Sequence, residues 1–327
     1  MVHELSRRHF LAASAATAMT GWAATARAAG KLEKELRIGL IADLHHDLMP
    51  DGEARMKAFV AAMEKAKPDA IVQLGDFAYP KEANRKVIDR FNDANEVALH
   101  VLGNHDTDSG HTVEQCKKIW GLPSPYYAKS IGGLTILVLD GNEKGSPTHK
   151  KGYPIYIGKE QVEWLAKSLG EGDGPVLILS HQPLAGPYSV DNAADIQELL
   201  GKHADRVLLA ICGHTHIDYV LRVKDVPYYH VNSASYFWIG DKFAHESFPK
   251  AIHDKYPVIK STCPYKDALF TMLTIDPKSL SIAIEPCKSE WVGPSPSEVK
   301  AELHPLLTDG EEVAPRIRDR KIGRRGK

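Results

Sequence analysis

Apolar runs and amphipathic stretches alternate along most of the chain. Short apolar runs rich in β-branched residues predict buried strands, and segments with apolar positions at helical spacing predict helices between them. The predicted strands are LRIGLIA, DAIVQL, VALHVL, PVLILS and RVLLAI, with a hairpin that turns at Gly132-Gly133. The clearest predicted helices are EARMKAFVAAMEKA, GKEQVEWLAKSL and NAADIQELLGK. This alternation predicts an α/β fold with a large mixed sheet or two packed sheets, covered on the outside by helices.

The remainder of the chain divides into segments of different character. Two further hairpins are predicted to close a single domain that spans residues 31–290. Residues 233–265 are aromatic and irregular, and we expect them to form a loop insertion. Residues 291–327 end in the basic stretch PRIRDRKIGRRGK, which is typical of a solvated, flexible tail.

The first 28 residues have the pattern of an export signal. Paired Arg7 and Arg8 precede a mildly apolar stretch, and the small residues Ala26 and Ala28 resemble a cleavage site. The paired arginines resemble the twin-arginine signal, which exports folded proteins. A membrane anchor is the alternative, but the stretch is short and weakly apolar for a span of about 20 residues. We therefore expect the twin-arginine machinery to export the protein, which would be periplasmic or secreted after residues 1–28 are cleaved, with no stable membrane anchor.

Composition narrows the classes of partner. The chain has 327 residues, of which 43% are hydrophobic and 25% charged, and its formal net charge is −1. These values are typical of a soluble globular protein and give no sign of nucleic-acid binding through bulk charge. No C-x-x-C pair is present, so neither a thiolate zinc site nor a dithiol redox motif is expected. Cys263 and Cys287 flank a predicted hairpin, and an oxidising compartment would permit a disulfide between them, although the sequence gives no distance.

Five predicted strands are each followed within three residues by Asp, Asn or His. In chain order these residues are Asp43, His45, Asp76, Asn104, His105, Asp106, His181, His214 and His216. Each one alone has a structural explanation, such as a helix cap, a turn or a hydrogen-bonded buried histidine. Because ligands bind at the carboxyl ends of strands in open α/β sheets, five such groups at equivalent places indicate one shared site. Carboxylate, amide and imidazole donors without thiolate suit a pair of divalent or trivalent ions such as Mn, Fe or Zn.

The spacing of the donors suggests how they share the ions. Asp43 and His45 lie two residues apart on a segment that we expect to be extended, so that both side chains point the same way and chelate one ion. His214 and His216 have the same spacing. Two neighbouring cations need a bridging anion, and Asp76 at its glycine-preceded turn suits that role.

This set of motifs resembles, in order and residue type, the calcineurin-like metallophosphoesterase superfamily. The resemblance covers roughly residues 36–232 and implies a four-layer α/β/β/α sandwich with a dinuclear metal centre, which cleaves phosphoesters with a metal-bound hydroxide. It implies that the first metal is bound by Asp43, His45, Asp76 and His216. It implies that the second metal is bound by Asp76, Asn104, His181 and His214.

The resemblance also assigns roles beside the metals. It implies that His105 faces the phosphate, where it protonates the departing oxygen or stabilises the charge of the transition state, and we expect Asp106 to hold and charge that imidazole. Tyr79 follows Asp76 by three residues, where the purple acid phosphatases of this superfamily have a tyrosine ligand. Those enzymes have glycine in place of His45, so we interpret Tyr79 as a pocket-wall residue, with metal ligation as the alternative.

The sequence therefore predicts an exported two-metal hydrolase for small phosphorylated substrates. A nucleotide-type phosphodiesterase or pyrophosphatase is an alternative that shares the same motifs. A non-catalytic metal-binding module on this fold is a further alternative, although such a module would be expected to lack some of the ligands. Nucleic acid is not an expected partner, since no basic aromatic groove is evident. The aromatic segment SASYFWIG is open to two interpretations, a substrate-facing wall or core packing.

Overall fold

The computed structural model describes residues 31–323, which contain sixteen strands and six α-helices. The strands are β1 (Leu36–Ile41), β2 (Ala70–Gln73), β3 (Ala98–His100), β4 (Tyr127–Ile131), β5 (Leu134–Val138), β6 (Val176–Leu179), β7 (Val207–Cys212), β8 (Tyr219–Val223), β9 (Val226–His230), β10 (Tyr236–Trp238), β11 (Thr262–Pro264), β12 (Thr271–Ile275), β13 (Ile282–Ile284), β14 (Cys287–Lys288), β15 (Arg316–Ile317) and β16 (Arg320–Ile322). The helices are α1 (Gly52–Ala66), α2 (Arg85–Asp93), α3 (Val113–Trp120), α4 (Lys159–Gly170), α5 (Ala193–Gly201) and α6 (Lys250–Lys255). The predicted export signal lies outside the described residues.

Two six-stranded mixed sheets form the frame of the fold. The first has the strand order β16-β13-β12-β1-β2-β3, and the second has the order β4-β5-β6-β7-β9-β8. The strands β1, β2 and β3 run parallel to one another, as do β5, β6 and β7. The carboxyl ends of parallel neighbours lie at the same edge of a sheet, so each sheet presents one edge at which following loops can meet.

Three apolar clusters show that the layers are helix, sheet, sheet and helix. The largest cluster combines the inner faces of the two sheets, including Leu36, Ile38 and Leu40 of β1 and Leu134 and Ile136 of β5. A second cluster packs α1, α2 and α3 on the outer face of the first sheet. A third packs α4 and α5 on the outer face of the second sheet. The predicted α/β fold, a four-layer α/β/β/α sandwich, is confirmed.

Side chains of β1 point alternately to the two faces of the first sheet, so this strand contributes to two apolar clusters. Leu36, Ile38 and Leu40 face the second sheet, while Ile41 packs toward the helices. Gly39 also faces the helices, and a Cβ atom there would lie 2.1 Å from the Met63 sulfur of α1. Glycine at this position therefore allows α1 to pack closely against the sheet.

The aromatic insertion 233–265 has more regular structure than the predicted loop. Strands β10 and β11 pair antiparallel within it, and α6 lies between them in the chain. Tyr236 is buried against Met49 and Ile259, whereas Trp238 is 47% exposed. The segment therefore both packs into the protein and presents an aromatic side chain at the surface.

The prediction of a flexible tail from residue 291 is wrong for its basic part. Strand β16 pairs antiparallel with β13 and forms an edge of the first sheet, and Ile317 is buried in the core between the sheets. Asp218 is fully buried, and its carboxylate accepts hydrogen bonds from the side chains of Arg318 (2.8 Å) and Arg320 (2.5 Å). The basic residues are held here because they neutralise a buried carboxylate.

Replacing both Arg318 and Arg320 by alanine should lower the free energy of unfolding by about 3–5 kcal/mol, because the buried Asp218 carboxylate would lose its partners. Urea denaturation followed by circular dichroism measures this change. Lys250→Ala removes a cation from an exposed ion pair with Asp254 and serves as the control, with little or no change expected. Equal stability of the double variant and the wild type would contradict this account of the tail.

The cysteines form no disulfide in the described structure. Cys116, Cys212, Cys263 and Cys287 are all free thiols, so the pairing that the sequence left open between the last two is absent. No helix within residues 31–323 has the length and apolar character needed to cross a membrane.

Candidate metal centre

The polar residues that follow the strands meet at one place between the two sheets. Asp43, Asp76 and Asn104 follow β1, β2 and β3 of the first sheet, and His181 and His214 follow β6 and β7 of the second. Backbone hydrogen bonds continue beyond the strand ends and align the loops, as in the bond from His45 N–H to the Asp76 carbonyl (2.8 Å). The tertiary structure therefore brings together residues that are up to 173 positions apart in the chain, from Asp43 to His216.

Two groups of three donors lie side by side in this site. One group is Asp43, His45 and His216, and the other is Asp76, His181 and His214. Within each group the candidate ligand atoms all lie within 4.8 Å of one another. All of these side chains are buried except His214, which is partly exposed. Each group can therefore hold one ion.

Asp76 lies between the two groups. Its Oδ2 atom is 3.2 Å from His181 Nε2 in one group and 3.6 Å from His45 Nε2 in the other. Its Oδ1 atom accepts a hydrogen bond from the backbone N–H of His105 (2.9 Å), which fixes the orientation of the carboxylate. One carboxylate oxygen is thus within reach of ions held by either group.

Two histidines are oriented by backbone carbonyls. His181 Nδ1 lies 2.7 Å from the Leu74 carbonyl, and His216 Nδ1 lies 2.8 Å from the Tyr236 carbonyl. Because a carbonyl only accepts hydrogen bonds, each Nδ1 carries the hydrogen, and the Nε2 lone pair of a neutral ring faces the site. This arrangement, with the far nitrogen bound to a carbonyl, is common for histidines that bind metals.

Asn104 contributes a neutral oxygen beside the second group. Its Oδ1 atom lies 3.1 Å from His181 Nε2, and the Nδ1 atom of His214 lies 3.2 Å from the same nitrogen. His181 Nε2 thus lies at hydrogen-bonding distance from two other potential ligand atoms, although all three atoms can be acceptors. A cation at their centre would satisfy all three.

The charged groups of the site shift one another's pKa values in opposite directions. Burial would raise the pKa of Asp76, but the charges of His181 and His105 hold it well below its usual range. Burial would lower the pKa of His181, but Asp76 and Asp43 raise it to about 10. Burial and the neighbouring His181 lower the pKa of His214 to about 3. The carboxylates that favour a proton at His181 would equally favour a metal ion, and the donor set therefore fits a pair of metals.

The backbone conformation at the site differs from the extended segments predicted. Five of the donor residues have φ between 47° and 67°, in the left-handed region that residues other than glycine rarely adopt. These residues are Asp43, His45, Asp76, His214 and His216. The prediction that an extended backbone aligns Asp43 with His45 is therefore wrong, although their side chains do share one group. Such strain is tolerated where the surrounding structure fixes the chain, and it concentrates at functional sites.

Gly103 allows the first two loops to approach closely. A Cβ atom at Gly103 would lie 2.2 Å from both the backbone nitrogen and the Oδ1 atom of Asp76. Asp76 is held between β2 and β3, so neither atom can move away without displacing the carboxylate. Glycine at position 103 is therefore required for the position of Asp76.

We expect Gly103→Ala to lower stability by about 1–3 kcal/mol through overpacking and to reduce metal binding as well, because the new methyl group displaces Asp76. Thermal unfolding and the metal content of the purified protein measure the two effects. The matched control is Gly170→Ala at the end of α4, where a Cβ atom would meet nothing within 4 Å. Unchanged metal content in Gly103→Ala would show that the close approach is not needed.

His105 lies beside the two groups and is held by Asp108. Its Nδ1 atom is 2.6 Å from Asp108 Oδ2, and the Tyr153 hydroxyl donates a hydrogen bond to the same carboxylate oxygen (2.8 Å). The rings of His105 and His45 are 5.4 Å apart. Among residues 31–323, no hydrogen-bond partner is found for His105 Nε2, so this nitrogen can serve a substrate.

The prediction that Asp106 holds His105 is wrong. The Asp106 carboxylate is buried and accepts hydrogen bonds from the backbone N–H groups of Gly103 (2.7 Å), Asp76 (3.0 Å) and Phe77 (2.8 Å). Asp106 therefore fixes the loops that carry the donors. The spacing of three residues between His105 and Asp108 was the one signal in the sequence for the true partner.

Tyr79 lies in a wall beside the site. Its ring packs against His111, with 5.1 Å between the ring centres, and its backbone N–H donates to Asp47 Oδ2 (2.8 Å). Lys81 and Asn84 also contact Asp47, so that carboxylate fixes the loop that carries Tyr79. Tyr79 lines a small pocket together with His45, Asp76 and His105, which agrees with its interpretation as a pocket-wall residue.

Comparison with known protein families shows the family of this chain. The family model described as calcineurin-like phosphoesterase matches residues 36–218, which is more than half of the chain. The chain belongs to the calcineurin-like phosphoesterase family. The matched range contains every donor residue described above, and the predicted family resemblance is confirmed.

Individual relatives of this phosphoesterase are more distant. A probable cyclic nucleotide phosphodiesterase of Synechococcus is 27% identical over 201 residues, which cover 55% of this chain and 73% of that protein. A dimetal phosphatase from Danio rerio has a similar structure, with a TM-score of 0.52 and 16% identity, covering 78% of this chain and 96% of that one. GAP50, described as the anchor in the inner membrane complex of Plasmodium, has a TM-score of 0.52 and 14% identity over 90% of each chain. The two solved structures establish the fold alone, and function has to be argued from the site.

A cavity of about 340 Å³ opens onto the donor groups of the phosphoesterase. The donors His45, Asp76, Asn104 and His214 are among the residues that line it. The remaining lining comes largely from residues that the sequence analysis did not single out: Tyr153, Tyr188, Thr215, Glu302, Leu303, His304 and Leu307. No sequence signal linked residues 302–307 to the site, because this segment lies in the stretch predicted to be a flexible tail.

Proposed function

We propose that this protein is a two-metal phosphoesterase that hydrolyses phosphate esters of small molecules. The observation that carries the proposal is the pair of donor groups that share the Asp76 carboxylate at a cavity large enough for a small ligand. The family to which the chain belongs supports phosphoester hydrolysis. All the donors named from the motifs are present, which argues against a non-catalytic module.

The first ion would be held by Asp43, His45, Asp76 and His216. The second ion would be held by Asp76, Asn104, His181 and His214. Bound Mn, Fe or Zn ions supply positive charge against the phosphate oxygens and make water a stronger acid. The chain supplies the orientation: the Leu74 and Tyr236 carbonyls hold the rings of His181 and His216, and the His105 N–H holds Asp76.

His105 would supply the proton that the departing oxygen needs. Its Nδ1 atom is bound to Asp108, so Nε2 is the nitrogen available to the substrate. A protonated imidazole at this position can donate to the leaving oxygen or stabilise negative charge on the phosphate. Tyr153 braces the Asp108 carboxylate through its hydroxyl and so keeps the imidazole in place.

Phosphodiester hydrolysis is the second candidate, and a specific relative favours it. The Synechococcus protein is described as a probable cyclic nucleotide phosphodiesterase, and its similarity covers 73% of its length. Monoesterases and diesterases can use the same metal-binding motifs, so the choice between them depends on the walls of the cavity.

One experiment tests the metal requirement and the ester preference together. The purified protein, its chelator-treated form and that form reloaded with Mn, Fe or Zn are assayed on 4-nitrophenyl phosphate and bis(4-nitrophenyl) phosphate, with metal content measured in parallel. We expect about two ions per chain, activity that is lost with chelation and restored by a metal, and a preference for one ester. A fully metal-loaded protein that cleaves neither ester would overturn the proposed function.

We propose further that the protein is exported through the twin-arginine pathway, on the support of Arg7 and Arg8 in the sequence. Replacing both residues by lysine should leave the uncleaved protein in the cytoplasm of a bacterial host, because this pathway recognises the arginine pair. Fractionation and mass spectrometry of the two forms measure location and cleavage. Processed protein in the periplasm of the lysine variant would contradict this route.

A further inference from the structure

We infer that the aromatic and aliphatic residues that line the cavity bind a flat ring carried by the phosphoester, and that residues 302–307 help to select it. This inference rests on the proposed function, since it assumes that the phosphate lies at the donor groups. It adds a class of substrate, namely esters whose organic part contains an aromatic ring.

The lining of the cavity combines two kinds of chemistry. The donor residues supply imidazole and carboxylate groups to the lining, whereas Tyr188, Trp238, Leu303 and Leu307 supply aromatic and aliphatic surface. A volume of about 340 Å³ is near the lower end of the range of about 300–1,000 Å³ for small-molecule sites. The cavity therefore suits a phosphate with one ring-sized substituent.

Two aromatic side chains in this wall are unusually exposed. Tyr188 is 56% exposed and Trp238 is 47% exposed, so both present ring surface that a ligand can cover. The backbone of Tyr188 has φ of 58°, which is rare for an aromatic residue. The ring of Tyr188 contacts that of His304 edge to face, with 5.3 Å between ring centres. Burying such rings against another flat ring is favourable through both apolar area and ring geometry.

The charges of the wall exclude a second phosphate. No lysine or arginine lines this cavity among residues 31–323. The nearby Lys242 is paired with Glu302, which neutralises the carboxylate that lines the cavity there. A phosphate or pyrophosphate beyond the metals would need cationic donors of the kind that recognise phosphate elsewhere. The organic group therefore carries no second phosphate.

The C-terminal segment is held in place before any ligand binds. Leu303 and Leu307 pack against the core between the sheets, and the chain beyond them is fixed by the contacts of Arg318 with Asp218. A wall that is already ordered loses little conformational entropy on binding and can discriminate between ligands by shape. Residues 302–307 therefore form an ordered part of the pocket before a ligand binds.

The test compares substrates that differ only in the ring. Benzyl phosphate and cyclohexylmethyl phosphate release alcohols of similar acidity, and their methyl diesters provide the same comparison for a diesterase. We expect kcat/KM to be about tenfold higher for the benzyl esters, since ring contacts are worth about 0.5–1.5 kcal/mol beyond area. Tyr188→Leu and Trp238→Leu should each remove most of this preference. Tyr126→Leu replaces a partly buried aromatic residue outside the cavity and is the matched control.

Binding without turnover gives a second measurement. The nitro group of 4-nitrobenzylphosphonate quenches tryptophan fluorescence, so this ligand should quench the wild type but quench Trp238→Leu much less. Methylphosphonate, which lacks the ring, should have no such effect on either protein. Comparing adenosine 5′-phosphate with ribose 5-phosphate shows whether the ring is a nucleobase, and a preference for either ring-bearing ester supports the inference.

The outcomes separate this inference from the proposed function. Cleavage of benzyl and cyclohexylmethyl esters with equal kcat/KM, unchanged in both wall variants, would overturn the ring site and leave the phosphoesterase intact. Quenching by the ring-bearing phosphonate in a metal-loaded protein that cleaves none of the esters would instead support the ring site and overturn the proposed reaction.

Discussion

Replacing Asp76 by asparagine should remove most of the bound metal and nearly all of the hydrolytic activity. Oδ2 of Asp76 is the atom that lies within reach of both donor groups, 3.2 Å from His181 Nε2 and 3.6 Å from His45 Nε2. An amide has the same shape but no negative charge, and its nitrogen cannot bind a cation. Because bound metals contribute several kcal/mol to stabilising the transition state, the loss of activity should be roughly 10³-fold or more.

Metal content and kcat/KM of the purified variant measure the two effects of Asp76→Asn. Asp254→Asn changes an exposed carboxylate in α6 and should leave both quantities unchanged, which controls for the loss of one negative charge. Thermal unfolding checks that the variant is folded. A folded Asp76→Asn protein with two ions per chain and wild-type turnover would exclude Asp76 as the bridging ligand.

Replacing His105 by alanine should lower activity by about 10²–10⁴-fold while both metals remain bound, as expected for the loss of a general acid. The loss should be greater for alkyl esters than for nitrophenyl esters, whose leaving groups need no proton. Equal losses on both kinds of ester would indicate positioning or charge stabilisation by His105 instead. Wild-type activity on both kinds of ester would show that His105 has only a structural role in its loop.

Variants of two neighbouring carboxylates, Asp106 and Asp108, test whether each has the role seen in the structure or the role expected from the sequence. Asp108→Asn should reduce activity in the same direction as His105→Ala but by less, because Asp108 acts only through its 2.6 Å contact with the imidazole. Asp106→Asn should instead lower stability, because an amide has one accepting oxygen for the three N–H groups that the carboxylate now satisfies. Kinetics and urea denaturation of the two variants, measured side by side, show which carboxylate serves His105.

The strands and helices were predictable because their signals are local. The runs LRIGLIA and RVLLAI correspond to β1 and β7, and the helical spacing in EARMKAFVAAMEKA corresponds to α1. The glycine pair 132–133 forms the turn of the hairpin between β4 and β5. In each case the period of apolar side chains and the turn residues agree with the tertiary structure, so a short window of sequence contains the information.

The donors of the site were predictable for a related reason. The polar residues follow strands, and the rule that strand ends gather at one edge needs no knowledge of distances. The conformation of the loops was not predictable in this way. The left-handed backbone at Asp43 and His45 depends on contacts with the loop after β2, such as the hydrogen bond from His45 N–H to the Asp76 carbonyl.

The α/β class, most of the elements and the donor residues follow from the amino-acid sequence, because they depend on patterns within a few residues of one another. The contact of His105 with Asp108 rather than Asp106 follows from the three-dimensional fold, since that choice depends on the direction of a turn. The order of the basic C-terminal stretch also follows from the three-dimensional fold. The arginines there are 100 and 102 residues from the buried Asp218 that holds them, and no local pattern records a partner at that distance.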